Sequence, residues 1–216
     1  MILTAVLGAI GLLVGGLNPW ISGLRGVLRN LPVLVAAGLA ACWLSNLSMG
    51  GPRFGDSGAY HIPLVRWAAE HPIVPGLGNL YGHFGLASSH FLYLAWLDVG
   101  PFTQRSYHLA NGMLILALVV RALLGAARLV RRDDERCTAD VFYVLFLPAV
   151  VERALGIFLT SPSPDLAIFV LGVVISGELI PLLVRAGWTD VDRFRLYTLT
   201  LIAAAAVTVK VWIAGM

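Results

Sequence analysis

The chain has 216 residues, 58% of them hydrophobic and 12% charged, with a formal net charge of +3. A soluble domain carries about 25% charged residues, so a water-soluble globule is excluded. A membrane β-barrel is excluded too, because its segments of about ten residues alternate apolar and polar, whereas the apolar runs here are continuous. The expected class is an all-α polytopic membrane protein, one transmembrane domain over 1–216, with about six spans. The positive charge does not signal nucleic acid, because most arginines stand in short links between apolar runs, where they set topology.

A spanning helix needs about 20 mostly apolar residues. The first such run is 1–17, which lacks the basic n-region and the small-residue cleavage site of a secretory signal and is read as a retained helix. Asn18-Pro19 breaks it, and Arg25 and Arg29 follow. The second run is 31–49, ended by Gly50-Gly51-Pro52. A polar stretch occupies 55–83. The run 84–99 is short and carries His90 and Asp98, so it is expected to be re-entrant or interfacial. Further spans are expected at 109–130, 141–160 (with Pro148 inside), 166–184 and 196–215. A basic cluster at 131–136, a Ser-Pro-Ser-Pro-Asp hairpin at 161–165 and a polar link at 185–195 separate them.

With the 18–30 link in the cytoplasm, nine arginines (25, 29, 128, 131, 132, 136, 185, 193 and 195) face inside and three (53, 66 and 105) lie in the outer 50–107 loop. That bias orients the chain with its N-terminus outside. It also puts the 55–83 stretch and the 161–165 hairpin on one outer face. Cys42 and Cys137 fall in different segments, so neither a disulfide framework nor a metal spacing is implied.

Asp56, Tyr60 and His61 form the densest group of chemistry-bearing residues in the outer loop. Asp56 is well placed to cap the helix that follows, the more common role of such a residue; a carboxylate can also take a proton from a hydroxyl or hold a divalent ion beside a phosphate. Tyr60, His61, Leu64 and Trp67 recur at helical spacing, which reads as an interfacial amphipathic helix. His83 and His90 read as structural histidines. Ser163 and Asp165 can cap the helix starting at 166. Arg121, Glu152, Arg153, Glu178 and Lys210 fall inside expected spans, where ionisable groups face a cavity or a partner. Arg121 and Glu178 can pair, and Glu152 and Arg153 point to different sides of a helix and need other partners. Lys210 is expected near the outer end of the last helix, at the level of Asp56 and Asp165, where it would either stabilise a phosphate or snorkel to the interface.

An acidic residue after the second apolar run, a loop with amphipathic segments and a later Ser-Pro-Ser-Pro-Asp hairpin resemble the N-terminal half of the GT-C superfamily of membrane glycosyltransferases. The stretch DSGAYHIPLVRWAAEHPIVPGLGNLYGHFG is similar, more closely, to a group of bacterial polytopic membrane proteins patterned Asp-Thr-Gly-Leu-Tyr-His followed by Pro-Gly-Leu-Gly-Asn-Leu-His-Gly-Arg. The matching residues are Asp56, Gly58, Tyr60, His61, Pro75, Gly76, Gly78, Asn79, Gly82, Ser88, Ser89, the segment 161–165 and Lys210. Ser57, Tyr81 and His83 depart from the pattern, which has Thr, His and Arg there.

The resemblance implies transfer of a sugar from a polyprenyl-phosphate donor at the non-cytoplasmic face of a bacterial inner membrane. Asp56, His61 and Asp165 would then be the catalytic group, with any divalent cation held at Asp56. Tyr60, Arg66, Asn79, His83 and Lys210 would contact substrate or phosphate. Such transferases continue with more helices, and this chain ends at Met216, shortly after Lys210. That shortness supports the alternative, an accessory transmembrane subunit of a larger complex that contacts membrane lipids and other subunits. A transporter is a third reading, since intramembrane charges also line ion pathways.

Overall fold

A computed structural model describes residues 30–71, 75–85, 88–132, 137–184 and 189–210. The expected span 1–17, the link with Arg25 and Arg29, the segment 72–74, Arg136, Arg185 and the tail from 211 lie outside the described residues. Those residues form helices joined by turns, with no strand among them. In chain order the helices are α1 (Leu31–Ser48), α2 (Ile62–Glu70), α3 (Leu77–Leu80), α4 (Ser89–Leu97), α5 (Ala110–Arg131), α6 (Thr138–Leu155), α7 (Asp165–Val184) and α8 (Asp190–Val209). Three stretches are long and apolar enough to cross a membrane: Leu31–Ser48, Ser106–Arg131 and Asp165–Val184. Leu31, Val35 and Leu39 on α1 and Leu183 and Val184 on α7 are exposed, as lipid-facing residues would be.

Local sequence explains where the helices start. Pro32 opens α1, where its missing N–H costs nothing. The Thr189 hydroxyl accepts from Asp192 N at 3.2 Å while the Asp192 carboxylate accepts from Thr189 N at 2.9 Å, a reciprocal cap that starts α8. The expected last run at 196–215 therefore starts too late, and half of the expected 185–195 link is helix. At the other end α8 stops at Val209, and Lys210 is extended just beyond it rather than inside a span. The expected 141–160 span is corrected likewise. α6 ends at Leu155 because Gly156 turns extended, and 156–160 become turns. α4 has nine residues, about 14 Å of helix at 1.5 Å per residue, against a hydrocarbon core of about 30 Å.

α5 is the central helix, in contact with α1, α6 and α7, and α8 lies on α7. Apolar residues of these elements, among them Leu44, Ile115, Tyr143 and Val170, make the main core; Leu64, Val65, Phe91, Leu94 and Ala110 make a smaller one between α2, α4 and α5. Side-chain bonds fix the relative directions. The Arg131 guanidinium donates to Asn30 at one end of the α1–α5 pair, and His108 Nδ1 bonds Ser48 O at the other, so the pair is antiparallel. One end of the bundle then holds Asn30, Arg128, Arg131 and Asp140. The other holds Ser48, Asn111 and the 158–165 segment.

Small residues let the helices close, as expected where lipid supplies no hydrophobic drive between them. A Cβ at Gly177 would lie 2.7 Å from Tyr143 Cζ. Gly177→Ala is accordingly expected to destabilise the protein by about 1–3 kcal/mol, the usual cost of overpacking, as a lowered melting temperature in detergent. Glu152 and Arg153, expected to seek separate partners, meet each other at 3.5 Å. Both are long, exposed side chains in the last turn of α6, free to curl together.

Candidate functional site

The Ser-Pro-Ser-Pro segment, expected as a tight polar hairpin, is the buried floor of the site. Ser161, Pro162 and Ser163 are fully enclosed. Asn111, in the first turn of α5, donates from Nδ2 to Phe158 O at 2.9 Å and to Ser161 O at 2.7 Å. Thr160 donates to Gly51 O at 3.3 Å. The hydroxyls of Ser57 and Ser161 lie 2.7 Å apart, so the 55–83 stretch and the hairpin meet directly, 104 residues apart in sequence. These bonds satisfy backbone groups that burial would otherwise leave costly.

Above this floor, Ser57–His61 forms a π-helical turn in which Ile62 N donates to Ser57 O, five residues back. Pro63 has no N–H to offer the Ala59 carbonyl, which favours the wider turn; such turns are frequent at functional sites. Asp56 precedes the turn but does not cap it. Its exposed carboxylate accepts from the Tyr60 hydroxyl at 3.2 Å. Burial, followed by the negative charge of Asp56, pushes the Tyr60 phenol up to about 12, so it remains a donor. His61 is buried against Phe54, Tyr60 and Phe91. Burial pushes its imidazole down to about 4, while Asp56 and Asp165 oppose the shift and Lys210 reinforces it. His90 is driven down to about 3 by burial and then by the charge of His61. Both rings are neutral at neutral pH, and His61 Nδ1 and His90 Nε2 have no hydrogen-bond partner among the described residues.

Asp165 and Lys210 complete the group. The Lys210 ammonium is bonded to Asp165 Oδ1, and Ser163 donates to Asp165 Oδ2 at 2.9 Å. Ser163 also accepts from Asp165 N at 3.3 Å, so the serine does the capping and leaves the aspartate to the lysine. Lys210 is brought here by the end of α8, which is tied to the start of α4: Ser88 donates to Val209 O at 2.7 Å, and Thr208 donates to Ser89 at 2.9 Å.

The structure thus gathers Asp56, Tyr60, His61, Asp165 and Lys210 from three distant parts of the chain. His83 joins the edge, its ring 4.8 Å from Tyr60. Arg66 lines a groove with Trp67, Glu70 and His71 and a narrow cleft with Asp98 and Pro162. Asn79 is exposed beside Gly76. Sequence reasoning missed Asn111, whose only signal was an amide at the start of an apolar run; His90 is buried. Among the described residues no three His, Cys, Asp or Glu side chains gather so as to hold a metal ion.

The histidines predict a pH dependence. Their unfolded values lie near 6.5 and their folded values lower, so the unfolded chain takes up protons first as pH falls. Stability is expected to hold above pH 7 and to fall from about 6.5 down through 4. Thermal unfolding in detergent across that range checks it, with a shallower decline expected for His61→Gln.

No curated protein and no solved structure matches the chain. The model of the family described as a domain of unknown function (DUF8201) matches residues 17–215, and the chain therefore belongs to that family.

Proposed function

We propose that the chain is a GT-C-like membrane protein of a bacterial inner membrane that transfers a sugar from a polyprenyl-phosphate donor at the non-cytoplasmic face. The observation that carries this reading is that Asp56 and the Lys210–Asp165 ion pair both act on the same buried, neutral His61 at one end of the bundle. The end opposite holds Arg128 and Arg131, which supports placing it in the cytoplasm. Six spans and an external N-terminus complete this topology, with 84–99 as the re-entrant segment.

In this reading the Asp56 carboxylate takes the proton of the acceptor hydroxyl as its oxygen attacks the anomeric carbon. The bond from that carbon to the phosphate oxygen breaks, and the phosphate leaves with the electron pair. Lys210 stabilises the growing charge on that phosphate. Asp165 holds the lysine extended toward the site until phosphate competes for it. Tyr60 orients Asp56, and His61 and His90 keep that wall of the site uncharged. Arg66 and Asn79 would act only on outlying parts of a substrate.

One observation favours the alternative, an accessory subunit packed against other membrane proteins: the groove at Arg66 and the one between α1 and α5 are lined by none of Asp56, Asp165 and Lys210. Cells carrying Asp56→Ala separate the two. The transferase reading expects loss of one glycolipid or glycan species. An unchanged profile, with the variant present in the membrane at normal level, supports the subunit.

A further inference from the structure

A groove of about 540 Å³ lies between the end of α1 and the start of α5, lined by Leu44, Ser45, Ser48, Arg105, Gly112 and Leu116 among others. That is the size of a small-molecule site. Both bordering helices are among those long and apolar enough to cross a membrane. The interior is apolar, and Met49, Phe102 and Met113 stand exposed around it. Gly112 lies in its wall, close to Ser48, whose Oγ would stand 3.4 Å from a Cβ there. His108 is fixed in the wall by its bond to Ser48 O.

Arg105 stands at this groove on a shaped loop. Gly100 and Gln104 both take left-handed backbone, at φ +59° and +63°. Thr103 closes on Gly100 O at 2.8 Å, and Asp98 accepts from Ser106 N at 3.3 Å. The guanidinium is exposed and makes no ion pair among the described residues. An unpaired arginine at the polar end of an apolar groove, at the end of two membrane helices, matches a phosphate above a hydrocarbon chain.

We propose that this groove binds a membrane lipid with an anionic phosphate headgroup, its chain along Leu44 and Leu116 and its phosphate on Arg105. The site is separate from the Asp56 group and stands whether or not the chain transfers sugar. It nonetheless adjoins the floor of that group, because Ser48 leads into Gly50 and Gly51, which touch Thr160.

Native mass spectrometry of the purified full chain, titrated with phosphatidic acid, phosphatidylcholine or inorganic phosphate, tests this. One phosphatidic acid is expected to bind about tenfold more tightly than phosphatidylcholine, and inorganic phosphate is expected not to displace it. Arg105→Gln should bring phosphatidic acid down to the phosphatidylcholine level, with Arg105→Lys retaining part of the preference. Ser45→Trp, an exposed position on the groove wall, should block both lipids. Equal binding of the two lipids by the wild type would overturn the proposal. So would displacement by inorganic phosphate, or phosphatidic acid binding that neither Arg105→Gln nor Ser45→Trp weakens.

Discussion

Asp140→Asn is expected to cost about 3–5 kcal/mol of stability, the usual cost of breaking one partner out of a buried ion pair. Asp140 is fully buried at the start of α6. Its carboxylate accepts from Arg121 at 2.8 Å, from Arg128 Nε at 2.9 Å and from Cys137 N at 3.1 Å, and Arg128 makes a second bond to it. Four donors fill the acceptor capacity of a carboxylate, and an amide presents its own N–H groups to some of them. Gly125 makes room for this contact, since a Cβ there would sit 3.2 Å from the Asp140 backbone. Arg121 is shared further, 3.6 Å from Glu178 and stacked 4.4 Å from the centre of the Tyr143 ring. The network joins α5, α6 and α7 at the end remote from the candidate site. Thermal unfolding in detergent is the check, with Arg153→Gln, exposed on α6, expected to stay within about 0.5 kcal/mol of the wild type.

Asp56→Asn is expected to do the reverse: lower sugar transfer by about 10²–10⁴, the contribution of a general base, and leave the melting temperature nearly unchanged. Asp56 is exposed and its hydrogen bond is to Tyr60, so folding loses little with its charge. Lys210→Ala is expected to weaken donor affinity more than acceptor affinity. Asp165→Asn should weaken it less, because the lysine persists without its positioning partner. The separation matters, because a purely structural cluster would lose stability and activity together.

The apolar runs made the helices legible. α1, α5 and α7 begin and end within a residue of their expected bounds, because composition alone decides where a long apolar helix can lie. α6 and α8 were misjudged at their polar ends. There the deciding signals are short-range ones, Gly156 after α6 and the Thr189–Asp192 cap before α8, which a hydropathy window averages away. Ser161 and Ser163 read only as part of a polar hairpin. Their burial depends on Asn111, Ser57 and Gly51 arriving from three other segments, which spacing along one stretch does not reveal. Asp56, His61 and Asp165 were legible as candidates because they crowd two polar segments on one outer face, and Lys210 because an ionisable group in an apolar run needs a reason to be present. Their mutual distances were not legible, since those depend on how α8 docks through Thr208 and Val209 on Ser89 and Ser88.

The central claim is that the Asp56–Asp165–Lys210 group acts on a lipid-linked phosphosugar. The most direct measurement is release of polyprenyl phosphate from a labelled polyprenyl-phosphate sugar by the purified full chain in proteoliposomes. The account predicts turnover by the wild type and loss of about 10²-fold or more in Asp56→Asn at unchanged melting temperature. Release by Asp56→Asn at the wild-type rate, or no release by a folded wild type across the donors offered, would contradict it.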